Sequence, residues 1–475
     1  MNQTDPIIIA GGGAAGLSAA ACAASRGAQV IVLEANPKTG GNGVFAEVLF
    51  GLGTREQARR GIRYDLDGYF QRSMDHSHWK NNARLVRRLL EASGENLDWL
   101  CDHGLEIAGL QDGDASLGYA THHTGGMHTG RDTMRVLRNF CENDPHIEIH
   151  TKTRVQRLLM EENTVVGVVA EQGGAEVTFR GRAVLIACGG FLGNPALISR
   201  IIPGVDPDAF AHIRGIRMHG DGILLAESAG GEILSDGCFE NAGPTFAGTQ
   251  ALMGLVTKRY ALWLNAQGRR FANEAIGDNF VYGCNAVYAQ PGHFCYILLD
   301  NAMVQQAAAG PVDFLAGPAA VNSGMSGLQN AIQKEIAAGR VCVAPDLGGI
   351  AAWMGVSPAA LSDEIRAYND ACRAGTDALF LKPAELLKPL EQGPYTCIRC
   401  GVDNILTHGG IRVDEKMRVL RADGSPIDGL YAAGADISGV DSNGYQVFMG
   451  GHSFGFSLTG GRLAAGSILA GPAGS

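Results

Sequence analysis

The pattern of apolar positions opens with "IIIA", Ile7 to Ala10, a run short enough for a buried strand that leads directly into glycines. The next stretch, "AAGLSAAACAASRGA", is rich in small residues and reads as a helix, and "AQVIVLE" is a second apolar strand ending in Glu34. Residues 83–104, "ARLVRRLLEASGENLDWLCDHG", carry apolar residues at helical spacing with a glycine stop, which predicts a helix lying over a sheet. "IEIHTKTRVQRLLMEENTVVGVVAE" alternates like strands joined by turns and runs into "RAVLIACGGFLGN", an apolar strand ending on a double glycine. Strand, helix and strand in this order predict an α/β fold.

From about residue 240 to 390 the texture changes. "YALWLNAQGRRFANE" predicts a strand, a turn at Gln267-Gly268 and a second strand. "SPAALSDEIRAYNDACRAG" predicts a helix capped by Ser357. Past residue 395 a glycine-rich strand style returns in "THGGIRVD", "GLYAAGADISG" and "GFSLTGGRLAAG". The simplest organisation is a nucleotide domain built from both ends of the chain, residues 1–240 and 391–475, with a second domain, 241–390, inserted between them. At 475 residues and 46% hydrophobic the chain exceeds the usual single-domain range, which supports two domains.

The first glycines carry the first piece of chemistry. Gly11, Gly13 and Gly16 match G-x-G-x-x-G. In that motif the first glycine allows a tight turn, the second lets the backbone approach a pyrophosphate, and the third lets the helix pack on its strand. The helix then points its N-terminal amides at phosphate. Glu34 ends the second strand where a carboxylate accepts hydrogen bonds from an adenosine ribose and disfavours a 2′-phosphate. A dinucleotide site follows.

Composition narrows the partners. A formal net charge of −10 and a pI near 5.7 argue against a nucleic-acid-binding surface. No signal segment and no uninterrupted apolar run of membrane-spanning length is seen, so the expectation is a cytoplasmic protein with no direct membrane span. The 11 cysteines are scattered, and the lone C-x-x-C, Cys397 to Cys400, has no second pair and no following histidine, so it reads as two thiols on a strand and no metal site is expected. His122, His123 and His128 cluster in "THHTGGMHTGRD" without a carboxylate or cysteine at ligand spacing, which reads as a loop before a helix. His76 and His78 in "DHSHW" read as surface residues or a helix start.

The motifs "GGGAAG", "GGNG", "ACGGFLGN", "HGDGILLAESAG", "LNAQGRRFANE", "THGGIRVD", "GLYAAGAD" and "SLTGGRLAAG", in that order over most of the chain, resemble the flavoprotein subunit family of fumarate reductase and succinate dehydrogenase. The resemblance implies a Rossmann-like FAD-binding domain with an inserted α+β capping domain. It implies FAD contacts at Gly11, Gly13, Ala14, Ala15, Gly16, Glu34, Ala35, Gly40, Gly41, Asn42, Val155, Gly189, Gly190, Asp221, Gly434 and Asp436, with Ser457 and Leu458 near the flavin ring. Family members with covalent FAD use a histidine in the loop where this chain has Asn42, so noncovalent FAD is implied.

The chain also departs from that family. Fumarate-reducing members hold two carboxylates with arginines and histidines, and an arginine shortly after "RF-x-NE" delivers the proton. Here Asp278 lies about where that arginine is expected, and the family's "H-T-x-G-G" appears as Leu406-Thr407-His408-Gly409-Gly410. Where a carboxylate-clamping arginine is expected, the chain offers Tyr445, Phe448 and His452, and Arg259, just before the "LWLN" strand, is the candidate for a shifted substitute. The candidate acids and polarising groups are Tyr445, Asp278, Tyr282 and His408; His128, Arg259, Glu274, Phe448 and His452 are candidates for holding substrate. Asp278 could serve as an acid only if burial favours its protonated form.

The expected activity is hydride transfer at flavin N5 to or from a carbon-carbon bond beside a carbonyl or carboxylate. The substrate is expected to be bulkier and less charged than fumarate, and the electron partner separate. The departure resembles ketosteroid dehydrogenase relatives, which use tyrosines. An oxidase passing electrons to oxygen also needs a carboxylate clamp, which counts against it. The rival from another class is a noncatalytic flavoprotein or electron-transfer subunit of a larger complex.

Overall fold

A computed structural model describes residues 5–111, 116–125, 128–213, 216, 218–310 and 324–471. The chain divides into two compact units. The first comprises Met1–Val205, Gly215–Phe239 and Leu406–Ser475, and the second Asp206–Arg214 and Glu240–Ile405.

The first unit is organised around a nine-stranded sheet. Its centre is five parallel strands in the order Ile147–Thr151, Val30–Glu34, Ile7–Ala10, Ala183–Ile186 and Pro426–Ala432. Ile7 is in register with both Val30 and Ala183, and Val184 with Leu430, so strands from both ends of the chain lie side by side. Ile7, Ile8 and Ile9 are almost wholly buried, as a strand covered on both faces requires. At one edge Thr153–Glu161, Thr164–Gln172 and Ala175–Arg180 form an antiparallel ladder.

The expected helix is Ala83–Asp102, started by the Asn82 side chain, which accepts from the Leu85 amide. Its buried residues, Leu85, Val86, Leu89, Leu90, Ser93, Gly94, Asn96, Leu97 and Leu100, follow helical spacing, with small Ser93 and Gly94 in the middle of the apolar stripe. "GFSLTGGRLAAG" overturns the strand expectation: it lies in a helix, His452–Ala470. The glycines there serve close packing rather than turns. A Cβ on Gly461 would sit 2.1 Å from the Ala15 carbonyl oxygen of the first helix, Ala14–Ala24.

The second unit has a six-stranded sheet whose long strand Tyr395–His408 pairs with Phe210–Ile213, Cys295–Leu299, Cys238–Thr245 and Val341–Ala344. The short segment Asp206–Arg214 joins this unit because its strand lies parallel to Tyr395–His408, a pairing that no local pattern announces. Ser357 caps the helix Pro358–Ala374 as expected. The strand predicted after Gln267-Gly268 shrinks to one bridge, Leu264 with Arg270. There the Asn265 side chain accepts from the Gln267 and Arg269 amides, and Arg270 turns into an ion-pair cluster. Cys397 and Cys400 are buried thiols on the long strand. Among the described residues no helix is long and apolar enough to cross a membrane.

Replacing Gly461 by Val forces the two helices apart. We expect a loss of roughly 1–3 kcal/mol or more, read as a lower thermal midpoint. Gly466, on the same helix, where a Cβ would meet only the Arg26 guanidinium, at 3.5 Å, is the control: Gly466→Ala should leave the midpoint unchanged or raise it.

Candidate functional site

The nucleotide end of the site forms where the first strand meets the first helix. Gly11 has φ +111°, and a Cβ there would lie 2.2 Å from the Ala187 carbonyl oxygen. A Cβ on Gly16 would lie 1.9 Å from the Gly11 oxygen, so helix and turn touch. Around Gly13, the helix N-cap, nothing lies within 4 Å of a Cβ. Open space faces helix amides there, a cradle whose shape and dipole suit a pyrophosphate. Ala14 is half-buried and Ala15 buried behind it.

Glu34 is buried and accepts from the Gly12 amide at 2.8 Å and from the Asn36 amide at 2.7 Å, which fixes the carboxylate at the end of its strand. Ala35 next to it is exposed. Gly40 donates its amide to the Gly12 carbonyl, and Gly41 approaches Gly13 closely enough that a Cβ would lie 3.3 Å from its Cα. Asn42 exchanges two hydrogen bonds with the Ile216 backbone, at 3.1 and 2.7 Å. "GGNG" therefore lies against the cradle, with Asn42 as a brace.

The double glycine is held by Asp436. This buried carboxylate accepts from the Gly189 amide at 2.7 Å and the Gly190 amide at 3.1 Å. Burial raises its carboxyl to about 6, partly offset by those amides. A Cβ on Gly434 would lie 3.3 Å from Ala15 Cβ and 3.7 Å from Ser457 Oγ, so the first helix, the Gly434 turn and the C-terminal helix converge. Ser457 donates to the Ser453 carbonyl, and the Leu458 carbonyl accepts from Ser18. Asp221 starts a helix and is bound bidentately by Arg154, at 2.8 and 2.6 Å, and Val155 is buried beside it in the chain.

At the head of the C-terminal helix the structure assembles a second group of polar residues. The fully buried carboxylate of Asp441 accepts from His452 Nε2 at 2.9 and 3.0 Å and from Gln446 Nε2 at 3.0 Å. His408 Nδ1 lies 3.6 Å from the same carboxylate. Burial raises the Asp441 carboxyl, but His452, then His408 and Gln446, outweigh it and bring it down to about 2. The Tyr445 ring is 4.7 Å from the His452 ring and 5.5 Å from that of His408, and its hydroxyl reaches Ser453 Oγ at 3.4 Å. Phe448 lies 6.0 Å from His76 and beneath the Arg72 guanidinium at 4.6 Å. Asp236 ties this loop down by accepting from the Ser438 and Ser442 hydroxyls.

Three residues escaped the sequence reading. Asp441 stands in "DSNGYQ", where an acid among Ser, Asn and Gly reads as a turn. His76 ends the helix Leu66–His76 instead of starting one, and faces the cluster half-buried, with burial lowering its pKa. Arg72, one helical turn before it, had no motif around it.

Of the histidine-rich stretch, His122 and His123 lie on a short strand, Thr121–His123, not in a loop. His122 is buried between Thr54 Oγ1 and the Ala120 carbonyl, each at 3.0 Å, and burial lowers it to about 4, so its place is structural. His128 is the N-cap of the helix Thr129–Asn143, and its buried Nδ1 has no hydrogen-bond partner among the described residues. Gly126 and Met127 lie outside the described residues.

In the second unit, Asp278 is exposed and bound by Arg259 Nε at 2.7 Å. The burial that an acid role requires is absent. Arg259 also donates to the Gly277 carbonyl, which commits it locally rather than to a shifted clamp. Tyr282 is 49% exposed on the helix Phe280–Tyr288. Glu274 is fully buried between Arg270, at 2.9 and 3.0 Å, and Lys382, at 3.2 Å, which makes it an anchor of that unit.

A cavity of about 520 Å³ elsewhere in the first unit is lined by Arg55, Asp98, Trp99, Asp102 and Arg462 among others. It contributes none of the residues of the Asp441 cluster.

Comparison with known proteins agrees with the cradle. The model of the FAD binding domain family matches residues 6–446. The chain is 30% identical to a vinyl phenol reductase of Lactiplantibacillus plantarum, over 96% of this chain and 94% of the relative. It is 27% identical to an NADH:fumarate oxidoreductase of Klebsiella pneumoniae, over 91% of this chain but 44% of that longer protein. The fold matches a 3-ketosteroid Δ1-dehydrogenase of Sterolibacterium denitrificans with a TM-score of 0.77 at 19% identity, covering 99% and 100% of the two chains.

The lowered Asp441 carboxyl makes a pH prediction. Its stabilising contribution is present above the unfolded carboxyl range and is lost as the pH falls toward 2. Denaturant unfolding of Asp441→Asn should therefore show a stability deficit of roughly 2 kcal/mol near neutral pH, and that deficit should shrink between pH 4 and pH 2.

Proposed function

Because the chain belongs to the FAD binding domain family of flavoproteins, alongside fumarate-reductase-type enzymes, we propose that it reduces an alkene conjugated to a carbonyl, a carboxylate or an aromatic ring, on a substrate bulkier and less charged than fumarate. At the family level it is an FAD-dependent oxidoreductase acting on carbon-carbon bonds near a carbonyl or carboxylate. The observation that carries the finer reading is the cluster at the head of the C-terminal helix, where His408 lies beside Asp441, the Tyr445 ring beside His408, and the Phe448 ring beside His76. A planar dicarboxylate calls for bidentate guanidinium groups. Arg259, the candidate substitute, is engaged by Asp278. A phenol, imidazoles and an aromatic ring suit an aryl or otherwise apolar substituent. The vinyl phenol reductase relative, matched along nearly its whole length, supports the same reading.

The residues that would hold FAD are those of the cradle: Gly11, Gly13 and Gly16 with the first helix for the pyrophosphate, Glu34 for the ribose, and Gly41, Gly434 and Ser457 along the path toward the cluster. Asn42 has no imidazole to offer and braces Ile216, so the cofactor is held without a covalent bond. When reduced, the flavin supplies a hydride. Tyr445 supplies the proton to the other alkene carbon, and His408, next to the Gly409-Gly410 turn, hydrogen-bonds the activating oxygen, favouring the transition state in which it gains charge. Electrons reach the cofactor from a separate donor.

Two measurements test this. Acid precipitation of the holoprotein should release all of its flavin into the supernatant; flavin that stays with the pellet means a covalent link. In anaerobic stopped flow, reduced protein should be reoxidised quickly by a vinylphenol, a cinnamate or a bulky enone and slowly by fumarate. Tyr445→Phe should slow that step by about 10²–10⁴-fold. Rapid reoxidation by fumarate alone would overturn the substrate class, and silence toward the whole panel would favour a noncatalytic flavoprotein subunit.

A further inference from the structure

The His452 ring is bracketed by two acceptors. Nδ1 lies 2.9 Å from the Met449 carbonyl oxygen, and Nε2 lies 2.9 and 3.0 Å from the two oxygens of Asp441. A carbonyl oxygen can only accept, and so can an ionised carboxylate, so both nitrogens must carry hydrogen for both contacts to be hydrogen bonds. The ring is completely buried, where an uncompensated charge is costly. The Asp441 carboxylate provides the compensation, and Gln446 Nε2, itself tied to the Val440 carbonyl, keeps that carboxylate in place. The Asp236 contacts to Ser438 and Ser442, and the Ser442 amide on Asn81, fix the loop on either side of Asp441. The groups facing this pair are His76 from the helix Leu66–His76, with Arg72 behind it over Phe448, His408 from the end of its strand, and Tyr445 from the loop.

We propose that Asp441 and His452 form a positioning pair: Asp441, with the Met449 carbonyl, keeps His452 as an imidazolium, and that positive charge, placed 4.7 Å from the Tyr445 ring, makes the tyrosine a better proton donor. The proposal rests on the reading of Tyr445 as the acid. His452 itself has both ring nitrogens engaged, so it acts through Tyr445 rather than by touching substrate. A cation beside a phenol favours the charge left on oxygen when the proton departs. In the step, the Tyr445 O–H bond breaks as a C–H bond forms at one alkene carbon. The electron pair of the former π bond goes into that new bond, and the hydride brings the second pair to the other carbon. The tyrosine is then reprotonated from solvent. The site thereby places a fixed cation one residue-layer behind the acid, in place of a guanidinium touching the substrate.

The pair predicts an order that a merely structural role does not. The alkaline limb of the single-turnover reduction rate, which requires Tyr445 to carry its proton, should lie lowest in the wild type. It should move up in Asp441→Asn, which loses both charges, and further up in His452→Gln, which loses the cation and keeps the anion. Shifts of a pH unit or more and rates about 10–100-fold lower at neutral pH are expected, with flavin content and flavin absorbance unchanged. In holoprotein labelled with ¹⁵N-histidine, the His452 signals, identified by their loss in His452→Gln, should show two protonated nitrogens up to pH 9. In Asp441→Asn they should show a neutral ring. A neutral His452 ring in the wild type at pH 7, or alkaline limbs that coincide in all three flavin-loaded proteins, would overturn the proposal. Tyr445→Phe separates the two levels: wild-type rate and alkaline limb in that variant would sink Tyr445 as the acid, and with it the catalytic half of the proposal, while the nitrogen signals still decide whether Asp441 holds the imidazolium. Should Asp441→Asn fail to fold, His452→Gln alone still tests the direction of the shift.

Discussion

The close approach of the first and last helices underlies the whole first unit. With no side chain on Gly461, the C-terminal helix rests against the carbonyl of Ala15, and the Ser18 hydroxyl bonds the Leu458 carbonyl across the same seam. That seam joins residues more than four hundred positions apart and turns the C-terminal helix into a ruler. At about 1.5 Å per residue, Ser457 beside Gly434 and Ala15 stands about 7–8 Å from His452. Dinucleotide cradle and polar cluster are thereby set at a fixed spacing by one rigid element, which is what a site needs to hold two reactants in a reactive geometry.

Carboxylates do the local positioning, each in a different way. Glu34 binds the amides at the end of its strand, Asp436 binds the double-glycine amides, and Asp441 binds an imidazole. Asp436 is buried against backbone amides, and its carboxyl is raised; Asp441 is buried against imidazoles, and its carboxyl is lowered. The linkage signs are opposite. Asp436 favours the folded state at low pH and loses that contribution as the pH rises through about 6, whereas Asp441 favours it at higher pH. Equal burial thus gives opposite outcomes: the imidazoles outweigh the desolvation of Asp441, whereas the amides only partly offset that of Asp436, which the Asp221 carboxylate also raises.

Much of the scaffold was readable locally. The strand before Gly11, the Asn82-capped helix, the Ser357 cap and the double glycine after Ile186 each follow from a pattern within a few residues. The readings that failed did so where a remote partner decides. "GFSLTGGRLAAG" has the look of strands and turns because its glycines answer to the carbonyl of Ala15, not to their neighbours. The second strand after Gln267 is lost because Arg270 is drawn to Glu274 and Asp377. His76, read as a surface residue, faces a carboxylate that is far away in the chain.

The sequence by itself determined the dinucleotide motif, the α/β layout, the family resemblance and the departure from a carboxylate clamp, because each depends on residue types at short fixed spacings. Only the tertiary structure decided which polar residues come together. Asp278 and Tyr282 are exposed in the second unit, while Asp441, plain in its loop, becomes the carboxylate on which two histidines converge. The physical reason is that burial and charge pairing, which give a side chain its chemistry, are properties of the surroundings the fold supplies and not of the residue's neighbours in the chain.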